Sequence, residues 1–361
     1  MSTVSPQPDT KAMAESKAAM TRVDQIKARL PMIGDFLRQQ GALIALVIVV
    51  AFSFIRYDNF NTITIISILN FNAQFGLIAL GMTFVIMTGG IDLSVGGIAA
   101  LASVVAALNS SHGFFYALAM AVIAGTIVGM VNGIIVAWMR IPPFIATLAT
   151  LYIVRGIALR MINDAASINL DQKSDFVTIG GTTVGDGFLN PPLPFTIPLL
   201  LVAFIIGILV LRYTRFGRYV LAIGGNPEAA QLMGLPVKRT LFLVYTLSGA
   251  LSGLVGVLLA INLNGGSATE GNGWELIAIA AVVVGGTLLT GGIGSVFGTL
   301  VGTLLLGTIV EILQLENNYM LDHGGQAFLN FFWQNVIRGV FLLIVVLLQS
   351  RLQQQRARRS T

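Results

Sequence analysis

The chain has 361 residues, 55% of them hydrophobic and only 10% charged, where a soluble globular domain carries about 25% charged residues. Its mean hydropathy of +0.83 and its continuous apolar runs, such as residues 197–210, exclude a soluble protein and also an outer-membrane barrel, whose strands alternate over about ten residues. The formal net charge of +5 reads as basic cytoplasmic loops rather than nucleic-acid binding, and the absence of cysteine excludes disulfides, thiolate catalysis and Cys-type metal sites.

Residues 1–36 are polar and mixed in charge. No short apolar core with a small-residue cleavage site follows, so they read as a cytoplasmic tail and not as a secretory signal. From there on, about ten helical spans are expected, near 37–56, 62–88, 94–109, 114–138, 142–162, 196–213, 239–262, 274–290, 294–315 and 327–349. Backbone groups cannot go unpaired in lipid, so these runs must be helices. The third and eighth are short and are candidates to break inside protein. The fold class is therefore all-α, a polytopic membrane helix bundle. A single transmembrane domain covers 37–349, followed by a basic cytoplasmic tail over 350–361.

Charge tests the count. An even number puts both termini on one side. With the termini inside, the inner loops and span ends hold 16 of the 21 basic residues, among them Arg140, Arg212, Arg215, Arg218, Lys238 and Arg239. The outer loops are acidic, with Asp58, Asp164, Asp171, Asp175, Asp186, Glu270, Glu316 and Asp322. This positive-inside bias supports two cytoplasmic termini. The two histidines, His112 and His323, fall in predicted loops without a partner at metal-ligand spacing, so no metal site is expected.

Glycine recurs at helix-packing spacing, at Gly125, Gly129 and Gly133 and again at Gly294, Gly298 and Gly302. Small residues four apart let helix backbones approach closely in lipid. A short sequence also repeats: Thr88-Gly89-Gly90-Ile91 with Gly96, and Thr290-Gly291-Gly292-Ile293 with Gly298. Transporters are often built from internal repeats, and both copies fall at the inner ends of out-to-in helices.

The most informative segment is the inner loop around 214–238. Asn226 is a good N-cap, Pro227 suits the first helical position, and Glu228 favours the positive end of the dipole. Gly234 suits a left-handed C-terminal conformation, and Pro236 stops continuation. A helix of about two turns is expected here, capped at both ends on the cytoplasmic side. That is what docking of a soluble partner needs; the lesser alternative is an ordinary amphipathic loop helix.

Several segments together resemble the ribose/galactose/xylose/galactofuranose family of bacterial ABC sugar permeases. They are Ala79-Leu80-Gly81-Met82-Thr83 with Thr88 to Gly96, Arg215-Phe216-Gly217-Arg218, Ala222 to Ala230 with Gly234-Leu235-Pro236-Val237, Gly285-Gly286-Thr287 with Gly291 to Val296, and Phe332-Trp333-Gln334 with Arg338-Gly339. The resemblance covers roughly 60–349 and implies a division of labour. This subunit, with a second copy or a sister permease, encloses the pathway in the bacterial inner membrane. Two ATPase subunits dock on coupling helices, here Asn226, Pro227, Glu228, Ala229, Ala230 and Gly234, and a periplasmic sugar-binding protein docks outside. The chain itself fits a non-enzymatic role without a bound cofactor, because ATP is used by the partner. A Walker A loop needs Gly-Lys-Ser/Thr, and none of Lys11, Lys17, Lys27, Lys173 and Lys238 follows a glycine.

For a sugar, amide groups beside apolar surface are fitting partners. Asn70 and Gln74 share one helix face, with Asn72 between them, and either line a pathway or bond between helices. Asp92, expected near the inner membrane face, either caps the helix beginning near Ser94 or acts as a gate or sugar acceptor. The rival reading is an ion-coupled secondary transporter, which would want carboxylates in mid-membrane.

Overall fold

The computed structural model describes residues 41–57, 60–171, 182–184 and 191–322, with 333, 336, 339, 340 and 343. The two tails, the span expected at 327–349 and His323 lie outside the described residues, apart from those isolated positions. The helices are α1 Gly41–Arg56, α2 Thr62–Met87, α3 Val95–Leu108, α4 Phe114–Ala137, α5 Pro143–Met161, α6 Thr196–Tyr213, α7 Arg215–Gly225, α8 Pro227–Leu232, α9 Val237–Asn262, α10 Trp274–Val284 and α11 Val296–Asp322. Six of them, α2, α4, α5, α6, α9 and α11, are long and apolar enough to cross a membrane. The chain is a polytopic helical membrane protein.

These six helices are apolar on all sides, which suits burial in lipid rather than a single core-facing stripe. The centre of the bundle is α2 and α9, each with 56% of its apolar window buried. The outer surfaces of α4 and α6 expose Ile127, Ile134, Leu201 and Ile205 instead. The spaced glycines do what their spacing suggests. A Cβ on Gly125 would stand 2.7 Å from the Cα of Gly253, and one on Gly129 would stand 3.0 Å from that of Gly249, so α4 and α9 meet backbone to backbone. Gly298 and Gly302 of α11 press the same way on Gly285 and Ala281 of α10.

The two short spans do break inside the protein. At about 1.5 Å per residue, the 14 residues of α3 and the 11 of α10 fall short of the roughly 30 Å hydrocarbon core. Both start at mid-depth. Gly97, in the first turn of α3, packs on Leu151 and Val154 in the middle of α5. Gly271, just before α10, lies against Gly96. The chain therefore enters the bundle from the end opposite α8 and turns into α10 halfway down.

Two small antiparallel ladders close that far end. Strand β1 Ser167–Asn169 pairs with β4 Gly265–Ser267, and β2 Thr183–Val184 pairs with β3 Leu193–Pro194. The last described helix also runs further than the expected 294–315. Its extension is anchored by Glu316, which accepts a 2.6 Å hydrogen bond from the Tyr57 hydroxyl and lies 3.6 Å from Arg56.

Candidate functional site

The capped helix expected after Asn226 is present as α8. The Asn226 side-chain oxygen accepts from the Ala229 N–H at 2.9 Å, and Pro227 takes the first helical position. At the other end Gly234, at φ 78°, turns left-handed. The Leu235 N–H then reaches the Ala230 carbonyl at 3.0 Å. These bonds satisfy helix-end groups that would otherwise be free. Ala230 is buried and seats the helix, while Leu232 and Met233 project outward at 90% and 69% exposure.

The residues before it form a further helix, α7, where a loop was expected. Thr214 caps it by accepting from the Gly217 N–H at 3.2 Å. Gly217, Val220 and Ile223 form its buried stripe. Three glycines in eleven residues hide this pattern from a propensity reading.

The end of α7 explains the repeated sequence. The two T-G-G-I turns face each other: the Gly292 N–H donates to the Met87 carbonyl at 2.9 Å, and a Cβ on Gly291 would stand 2.7 Å from Gly89 N. Gly224 and Gly225 sit against the same turns, with Gly224 Cα 3.0 Å from the Gly291 Cβ position and Gly225 Cα 2.8 Å from that of Gly292. Gly291 and Gly292 both have positive φ, at 84° and 76°, which side-chain-bearing residues resist. The exposed helix is thus one glycine contact away from the end of α2 and the turn between α10 and α11. A cavity of about 710 Å³ opens beside it, lined among others by Arg140, Glu228, Gln231, Lys238, Arg239 and Tyr245.

Asp92 is fully buried inside the bundle. After α2 the chain turns back up, with the Gly90 N–H bonded to the Val85 carbonyl. Asp92 Oδ1 accepts from the Ser94 N–H at 3.0 Å and the Ser94 hydroxyl at 2.6 Å, and Oδ2 accepts from Ser248 at 2.8 Å. Ser248 is in the middle of α9, and the carboxyl is fully buried. The network continues as Asn132 Nδ2 donates to Ser94 Oγ at 2.8 Å and Thr150 donates to Asn132 Oδ1 at 2.7 Å. Asp92 and Ser94 thus join the start of α3 to α4, α5 and α9; the Asp92 contact to the Ser94 N–H closes an Asx turn just before the helix, whose N-cap is Ser94.

The three amides of α2 do not converge. Asn70 accepts from the Thr196 hydroxyl of α6. Asn72 donates to the Ile68 carbonyl at 2.7 Å and lies against Gly307 of α11. Gln74 Oε1 is buried without a hydrogen-bond partner among the described residues. Arg155 of α5 and Glu275 of α10 escaped sequence reading, because each is a single charge inside an apolar run. Arg155 Nη1 lies 3.3, 3.2 and 3.2 Å from the carbonyl oxygens of Ala268, Thr269 and Glu270.

Comparison with known proteins shows which family this arrangement belongs to. Residues 64–347 match the family described as "Branched-chain amino acid transport system / permease component". The chain belongs to this family of permease components and is not an enzyme. It is 37% identical over 324 residues to the ribose import permease protein of Haemophilus influenzae, covering 87% of this chain and 94% of that one. It is 39% identical over 321 residues to the ribose import permease protein of Bacillus subtilis, covering 88% and 92%. To the L-arabinose ABC transporter permease protein of Azospirillum brasilense it is 38% identical over 285 residues, covering 78% of each.

Proposed function

We propose that the chain is the permease subunit of an ATP-driven monosaccharide importer in a bacterial inner membrane. The observation that carries this reading is α8: an exposed helix with Leu232 and Met233 outward and its glycine root locked to the two T-G-G-I turns. A helix of this kind supplies both a docking knob and a rigid lever. The substrate class comes from the relatives, named for ribose and arabinose although the family description mentions branched-chain amino acids.

In this account the α8 end of the bundle is cytoplasmic, as are both termini. The transmembrane domain spans 37–349 with about ten spans, the last of them at 327–349, between the tails 1–36 and 350–361. ATPase subunits dock on Asn226, Pro227, Glu228, Ala229, Ala230 and Gly234, and they use the ATP, so this chain needs no cofactor. A periplasmic sugar-binding protein delivers the sugar at the opposite end, and a second copy or sister permease completes the pathway. Closure of the ATPases moves α8, and the glycine junction passes that motion to α2 and to the turn between α10 and α11. Gln74, Asp92 and Ser94 remain pathway or gate candidates. Asn70 and Asn72 act between helices.

The buried carboxyls of Asp92 and Glu275 are what favours an ion-coupled transporter, but both oxygens of Asp92 already accept hydrogen bonds and Glu275 lies at the edge of the bundle interior against Gly96. The test is purification of the tagged chain from membranes, with uptake of ribose, arabinose and fructose measured in cells. The proposal expects an ATPase subunit to copurify and uptake to survive an uncoupler while ATP remains. An ATPase-free chain whose uptake collapses with the ion gradient would establish the secondary transporter instead.

A further inference from the structure

Irregular backbone and charged groups at membrane depth persist only where they are buried in protein or face water. One face of the bundle breaks the rule for a lipid-facing surface. The segment 268–273 reaches mid-depth beside Gly96. Arg155 of α5 holds it there through three successive carbonyls. Yet Thr269, Glu270 and Asn272 are exposed. On the same stretch of α5, Tyr152 is 69% exposed, and the Cβ side of Gly156 meets open space. Directly behind, Glu275 Oε2 is buried without a hydrogen-bond partner among the described residues, against Gly96. Exposed polar side chains, an irregular segment and an aromatic residue therefore share one patch at half the height of the bundle, within which Asn272 Nδ2 donates to the Thr269 carbonyl at 2.8 Å.

The chemistry of that patch suits a neutral sugar. Sugar hydroxyls both donate and accept, which matches a carboxylate and an amide side by side. The apolar C–H face of a sugar ring suits the face of an aromatic side chain. We infer that Tyr152, Thr269, Glu270 and Asn272 form the sugar-contacting wall of the pathway, opposed in the assembled transporter by a second permease. This rests on the importer reading above. Tyr152 gives the ring a surface to lie on. Glu270 and Asn272 offer hydroxyl partners from one side only, so the sugar is held weakly enough to leave again.

The chain contains no cysteine, so Thr269→Cys and Asn272→Cys each introduce its sole thiol. The full transporter, with its ATPase and binding protein, is placed in nanodiscs and treated with a charged, membrane-impermeant methanethiosulfonate reagent. Labelling of this chain is followed by mass. Leu201→Cys, on the apolar surface of α6, is the lipid-facing control. The inference expects both wall positions to react about tenfold or more faster than the control, since a charged reagent avoids lipid. It also expects the sugar that the cysteine-free parent accumulates, from a panel of ribose, arabinose and fructose, to slow labelling several-fold. Rates as slow as at Leu201→Cys would place the patch against lipid or a dry protein interface and overturn the inference. Fast labelling that no accumulated sugar slows would overturn sugar contact. If the parent shows no ATP-dependent uptake at all, the importer reading has failed, and that result is separate from the labelling rates.

Discussion

Leu232→Ala isolates the docking role of α8. The side chain is 90% exposed, so the truncation removes almost no contact within the subunit, and exposed substitutions of this kind change stability by no more than about 0.5 kcal/mol. If Leu232 becomes buried in an ATPase groove, the change removes three carbons from that interface. At about 0.8 kcal/mol per buried CH₂ the loss is roughly 2 kcal/mol, or about 30-fold in dissociation constant. The assay is titration of purified ATPase subunit onto permease in nanodiscs, with the melting temperature of the permease alone measured in parallel. The expected result is weakened ATPase binding and an unchanged melting temperature. Unchanged binding would refute the assignment of Leu232 to a docking interface.

Three further outcomes follow from the geometry. Gly224→Ala puts a methyl group into the Met87 carbonyl and Gly292 N, whereas a Cβ on Gly225 meets nothing within 4 Å. Uptake and thermal stability should therefore fall for the first and stay near wild type for Gly225→Ala, as read by transport and melting assays; equal behaviour would contradict the glycine junction. Asp92→Ala leaves the Ser94 N–H, the Ser94 hydroxyl and the Ser248 hydroxyl without their acceptor, at about 1–3 kcal/mol for each donor left unpaired. Asp92→Asn keeps one acceptor oxygen and meets Ser248 with an amide, so its melting temperature in detergent should lie well above that of the alanine variant. Asn226→Ala removes the Ala229 hydrogen bond and should cost α8 about 1 kcal/mol, visible as faster amide exchange at Ala229 with the spans unchanged.

The parts of the molecule that were legible in the sequence are those set by local rules. Asn226, Pro227 and Gly234 fix α8 from within a dozen residues, because caps and left-handed turns are near-neighbour chemistry. Gly125 and Gly129 announced close packing because spacing by four is a property of one helix. What stayed hidden depends on partners distant in sequence. Hydropathy could not show that the chain turns back after Met87 so that Asp92 meets Ser248. The T-G-G-I repeat was visible, but that its copies pair with each other and with Gly224 is a tertiary fact. Arg155 was lost among apolar neighbours, and its role emerges only where α5 passes the segment at 268–270.

The central claim is that α8 couples sugar import to ATP hydrolysis in a partner. Its most direct test is reconstitution of the permease with its ATPase and binding protein in proteoliposomes, with sugar accumulation and ATP turnover measured together. The account predicts accumulation against a gradient that requires ATP on the α8 side and that drops with turnover in Leu232→Ala. Accumulation that runs without ATP, driven by a proton or sodium gradient and indifferent to Leu232→Ala, would contradict it.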